Sequence, residues 1–216
     1  MLTYSKGLFA IILTIFFFTP AFSQTNAKEV EEAILLQKGV GSLKNGDTIT
    51  AYQYFQTIYA VTSDNNDANY YYLMLSLALD KPYAETITNK WLAESDNRIY
   101  NSRLNYYLGK FYFKKQLANP ALSAYSKVSI DDLSNEEIGL MKFEQAYFYF
   151  KNGDWENAVN LLNNVRQIKG QVYYYDANYY AGFIALQQKN FPLAMTCFKI
   201  ASESTSYNTL TPFYIS

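Results

Sequence analysis

A spacing of small residues constrains this chain more than any other feature. Gly182 is followed twelve positions later by Ala194, four later by Phe198 and three later by Ala201. A polar turn at 188–190 separates the two halves. The pattern predicts a helix, a tight turn and a second helix, with small residues where the helices touch. Gly39, Ala51 and Phe55 repeat the spacing, as do Gly109, Ala121 and Tyr125, and Ala146, Ala158 and Leu162. Self-similarity of this kind means stacked units, each unable to bury its apolar face alone.

In chain order the helical pattern runs over 25–44 and 48–60, then 68–79 and 83–94. It continues over 102–115 and 120–128, then 136–151 and 155–165, then 173–188 and 191–201. Asn-Gly-Asp stops a helix at 45–47 and again at 152–154. Ser134 followed by Glu136 and Glu137 reads as a capped helix start. Gly39 and Gly109 are 70 residues apart, which leaves room for a degenerate copy with Leu75 in the small-residue place, then Ile87 and Trp91. No alternating strand pattern and no low-complexity linker interrupts the series. The expected fold is all-α, one repeat domain over 24–216.

The N-terminus has another character. Lys6 precedes a nearly apolar run at 7–19, Pro20 breaks it, and Ala21 and Ser23 place small residues before Gln24. That is the plan of a secretory signal peptide over 1–23. The run is shorter than the ~20 residues of a spanning helix, which favours cleavage over a retained anchor. No second apolar run is long enough to span, so the mature chain is expected to have no transmembrane segment. The Ser-Gln junction resembles signal peptidase sites of Bacteroidetes secretory proteins. The expectation is export to the periplasm or envelope of a Gram-negative bacterium.

The repeat resembles the tetratricopeptide repeat, whose unit has small residues in its first helix and Ala…Phe…Ala in its second. That resemblance implies a right-handed α-solenoid of about five units, roughly 32–67, 68–101, 102–138, 139–174 and 175–208. Residues 209–216 look like the start of a further helix, and an uncapped C-terminal repeat implies possible self-association.

Chemistry is sparse. Histidine is absent, Cys197 is the single cysteine, and no phosphate-cradling or nucleophile motif occurs. No catalytic residue, metal ligand or cofactor is expected. The formal net charge of −1 gives no nucleic-acid signal. The anomaly is 22 Tyr and 15 Phe, more rings than a core of this size readily absorbs. By the resemblance, certain first-helix positions line a concave groove. Carried over, these include Tyr72 in the second unit and Arg103, Tyr106, Lys110, Phe113 and Lys114 in the third. The fourth gives Phe143, Tyr147 and Lys151, and the fifth Tyr179 and Phe183. Rings interleaved with cations suit an extended peptide carrying apolar and acidic groups. The expected function is a non-catalytic scaffold for a peptide or protein partner in envelope assembly or maintenance. Two alternatives are a repeat arm of a longer protein with a separate downstream domain, and a binding module associated with glycan uptake.

Overall fold

A computed structural model describes residues 21–62 and 66–215. The signal-peptide reading rests mostly on residues 1–20, which lie outside the described residues. The helices are α1 (Ala21–Lys44), α2 (Thr48–Val61), α3 (Asn66–Ala78), α4 (Ala84–Glu94), α5 (Arg98–Lys114) and α6 (Ala118–Tyr125). After a 3-10 turn at Ile130–Asp132 come α7 (Asn135–Lys151), α8 (Trp155–Arg166), α9 (Tyr174–Gln187), α10 (Phe191–Ala201) and the short α11 (Pro212–Ile215). No strand occurs among the described residues. The chain divides into two compact units, 1–58 and 59–216.

The turns inside the helix pairs share one construction. Gly46, Asp80, Gln116, Gly153 and Lys189 are all left-handed, at intervals of 34, 36, 37 and 36 residues. In each turn the next amide reaches back to a carbonyl five residues earlier. Asp47 N–H donates to Ser42, Lys81 to Ser76, Leu117 to Tyr112, Asp154 to Tyr149 and Asn190 to Ala185, at 2.8–3.0 Å. This closure satisfies the orphan carbonyls of the first helix. The residue that closes it often also opens the second helix. Asp47 accepts from Thr50 N–H at 3.0 Å, Asp154 from Asn157 at 3.2 Å and Asn190 from Leu193 at 3.2 Å. Asn-Gly-Asp is thus a C-cap and an N-cap in three residues.

Counting from the left-handed residue sets the register of every pair. Seven residues before it stand Gly39, Leu73, Gly109, Ala146 and Gly182. A methyl group on Gly39 would meet the Phe55 ring at 2.6 Å, and one on Gly182 the Phe198 ring at 2.8 Å. One on Gly109 would collide with Tyr125. Where the second-helix residue is the smaller Leu162, the first helix carries Ala146, and both are fully buried. The small residue and the bulky one sixteen positions on therefore share a single volume.

This register corrects the expected second copy. Its small-residue place is Leu73, not Leu75, and its partners are Ala84 and Thr88, not Ile87 and Trp91. Leu73 and Thr88 are fully buried and Ala84 nearly so, whereas Trp91 is only half-buried. Large and small have changed sides, so a search for glycine misses the copy. The turn is also one residue shorter, with Tyr83 left-handed as well as Asp80.

In the second unit α3 packs on α4 and α5, α5 on α6 and α7, α7 on α8, and α9 on α8 and α10. Tyr106, Phe111, Met141 and Phe148 form one core region, and Phe143, Leu162, Ile184 and Cys197 another. Burying such side chains gives roughly 1.5–3 kcal/mol each. Polar struts from a neighbouring segment reach acidic residues in the first turns of α3, α7 and α9. Tyr100 donates its hydroxyl to Asp67, Arg103 donates to Glu137 at 3.0 Å, and Tyr207 donates to Asp176 at 2.7 Å. The helix at α5 starts four residues earlier than expected because Asn97 caps it, accepting from Tyr100 N–H at 3.1 Å.

Candidate functional site: a cavity on the first-helix face

Three successive first helices of the second unit border a cavity of about 430 Å³. Leu77 and Ala78 of α3 form one wall. Tyr107, Lys110, Phe111, Phe113 and Lys114 of α5 form the largest part, and Glu144 of α7 closes it. That volume lies within the range of ligand pockets, and apolar walls with a few convergent polar groups are their usual make-up.

The helix period places these side chains together. Phe113 and Leu77 are equivalent residues, each three before the left-handed turn residue. Tyr107 and Glu144 are equivalent too, nine before it, where α3 carries Tyr71 and α9 carries Tyr180. A stripe of tyrosine is thus broken by one glutamate, at the cavity.

Glu144 is 3% exposed. The Tyr125 hydroxyl donates to its Oε2, and among the described residues Glu144 makes no ion pair. Burial pushes its carboxyl up from the usual range, against the pull of the Tyr125 hydrogen bond and the positive charge of Lys110. Burial also raises Tyr125 and Tyr107, so both phenols stay neutral donors. Lys110 and Lys114 make no ion pair among the described residues. The Lys110 ammonium lies over the Tyr106 ring, 5.5 Å from its centre.

Of the residues expected in a groove, Lys110, Phe113 and Lys114 line the cavity. Tyr147 continues from it, edge-on to Phe113 at 5.7 Å and to Tyr180 at 5.6 Å. Lys151 is exposed, 5.4 Å over the Tyr147 ring, and donates to Gln116 at 3.3 Å. Tyr179 and Phe183 are half-buried. Tyr207 stacks on Tyr179 at 4.2 Å, and Tyr214 stands edge-on to Phe183 at 4.9 Å.

Four expected groove residues do other work. Tyr106 is 1% exposed and Phe143 4%, so their rings are core. They stand ten before the turn residue, a place that rotates under the neighbouring helix. Tyr72 stands eight, not ten, before its turn residue, and its ring stacks on Tyr59 at 4.3 Å. The Arg103 fork is consumed within the fold. It donates to the Tyr70 hydroxyl at 2.8 Å, the Asp132 carbonyl at 2.6 Å and Glu137 at 3.0 Å. Sequence reasoning missed Tyr107 and Glu144. The break in the tyrosine stripe was the available signal for Glu144.

The expected packing residues Ala51, Phe55, Ala121, Tyr125, Ala158, Ala194 and Phe198 are all buried. Among the described residues no cluster of His, Cys, Asp or Glu could hold a metal ion. No helix among them is long and apolar enough to cross a membrane.

No protein-family model matches the chain, and no curated protein does. Two solved structures of MamA, a tetratricopeptide-like protein, are similar to it in fold. One is a MamA point variant, with TM-score 0.64 and 16% identity over 82% of this chain and 98% of that one. The other is MamA AMB-1, with TM-score 0.62 and 16% identity over 84% of this chain and 98% of that one. At that identity the likeness shows the fold alone.

Proposed function

We propose that this chain is a non-catalytic scaffold whose first-helix face binds an extended segment of a peptide or protein partner. In this reading the helix pairs form a right-handed solenoid of five tetratricopeptide-like repeats, exported after cleavage before Gln24. The partner belongs to the periplasm or cell envelope. The observation that carries the reading is the cavity bordered by α3, α5 and α7. It offers apolar walls and two lysines that make no ion pair among the described residues, on the face where successive first helices meet. A segment with a bulky apolar residue beside acidic ones complements it in shape and charge.

Selection of displayed peptides against the intact chain tests this. Acidic–apolar sequences should be enriched, and Phe113→Ala or Lys114→Glu should abolish their binding. Failure to enrich any sequence, or enrichment indifferent to both variants, would refute the assignment. Export is tested separately by mass spectrometry of the chain recovered from its native host, where the N-terminal residue should be Gln24.

A further inference from the structure

The charges around the cavity are of both signs, and among the described residues none of them makes an ion pair. Glu144 departs from a place that holds tyrosine in the other first helices of this unit. A buried carboxylate costs several kcal/mol unless it is well compensated, and the scaffold does without one at Tyr71, Tyr107 and Tyr180. Tyr125 departs in parallel. At its place Phe55, Leu162 and Phe198 carry no hydroxyl, and the Thr88 hydroxyl of the α3–α4 pair makes no hydrogen bond among the described residues. The two departures meet, because the Tyr125 hydroxyl donates to Glu144 Oε2. Oε1 has no hydrogen bond among the described residues, and Glu144 lines the cavity. Tyr125 thus holds the carboxylate from the core side and leaves its other oxygen to the cavity.

On the α5 side, Lys110 and Lys114 border the same space without an ion pair. Between the two charged sides lie the apolar surfaces of Leu77, Phe111 and Phe113. An ammonium group completes Glu144, a carboxylate completes the lysines, and an apolar side chain covers the rest. A volume of about 430 Å³ is of the size that a free amino acid or a dipeptide requires.

We propose that the cavity bordered by Glu144, Lys110 and Lys114 binds a small zwitterion with an apolar side chain, an amino acid or dipeptide with both ends free. This rests on reading the first-helix face as a binding surface, and it narrows what the cavity takes. The ligand's ammonium donates to Glu144, its carboxylate accepts from the lysines, and no bond is made or broken.

The test is calorimetric titration of the intact chain with four forms of one dipeptide, Leu-Phe. These are the free form, the N-acetyl form, the C-amide and the doubly blocked form. The free form should bind, and blocking either end should weaken it about ten-fold or more. Glu144→Gln keeps an acceptor for Tyr125. It should weaken the free form by a similar factor and leave the N-acetyl form unchanged. If Glu144→Gln fails to fold, the four forms on the native chain still decide. Equal binding of all four overturns the inference. So does binding of none, which is the result if Lys110 closes onto Glu144 in solution. A doubly blocked peptide that binds and is lost on Lys114→Glu leaves the scaffold reading standing while this inference fails.

Discussion

Gly182 has no side chain because the Phe198 ring occupies the space, and a methyl group there would stand 2.8 Å from it. The pair Ala146 and Leu162 solves the same packing problem with a larger first residue and a smaller second one. Gly182→Ala alone should therefore overpack the contact and destabilise the fold by about 1–3 kcal/mol. Gly182→Ala combined with Phe198→Leu reproduces the native Ala–Leu pair and should recover a large part of that loss. Denaturant titration of the three variants measures it, and a double variant as unstable as the sum of the singles would deny the shared volume.

Gln116 and Lys189 are left-handed without being glycine, with φ of 58° and 61°. The left-handed conformation costs an L-residue roughly 1–2 kcal/mol, partly offset by glycine's greater freedom in the unfolded chain. Gln116→Gly should raise stability by up to about 1 kcal/mol. Gly153→Ala, at the equivalent residue with φ of 75°, should lower it by about as much. Thermal unfolding of both variants provides the comparison.

A buried glutamate and a half-buried one should respond to pH in opposite directions. Burial raises Glu144, outweighing Tyr125 and Lys110. The folded chain then holds that proton more tightly than the unfolded chain. Its stabilising contribution is present at low pH and is lost as pH rises through the raised value. Burial also works to raise Glu137, but the Ser134 N–H and hydroxyl and the Arg103 charge outweigh it and hold the group low. Its contribution is present above the ordinary carboxylate range and is lost as pH falls through the lowered value. Melting temperatures from about pH 4 to about pH 8 should show Glu144→Gln gaining on the native chain as pH rises. Glu137→Gln should lose ground over the same range.

Arg103 ties α3, α5 and α7 through Tyr70, the Asp132 carbonyl and Glu137. Arg103→Met strips three acceptors of their donor, and about 2–4 kcal/mol of stability should go with them. Peptide affinity extrapolated to full folding should change little, because the guanidinium is not offered to a ligand. A variant of native stability with lost binding would return Arg103 to the groove.

The helix pairs were legible in the sequence because glycine against an aromatic ring sixteen residues on leaves a recurring signature. The pair α3–α4 was not legible in register. Leu73 against Thr88 inverts the sizes, and the shorter turn removes the fixed offset. That Lys110, Phe113 and Lys114 share one side of α5, where they line the cavity, could be read from helical position alone. Tyr106 and Phe143 could not, because whether a ring at that place meets solvent or core depends on the neighbouring helix. The part Arg103 plays within the fold is not legible in the sequence, because its three acceptors lie 29 to 34 residues away in the chain. Glu144 was passed over because a glutamate in a helical pattern ordinarily marks a solvated face.

The proposed function puts a partner segment in the cavity between α3, α5 and α7. Hydrogen–deuterium exchange of the intact chain, with and without a selected acidic–apolar peptide, tests it most directly. Amide protection should rise over 74–80, 105–115 and 141–148, and Lys114→Glu should remove the change. Protection confined to α4, α6 and α8, or unaffected by Lys114→Glu, would contradict it.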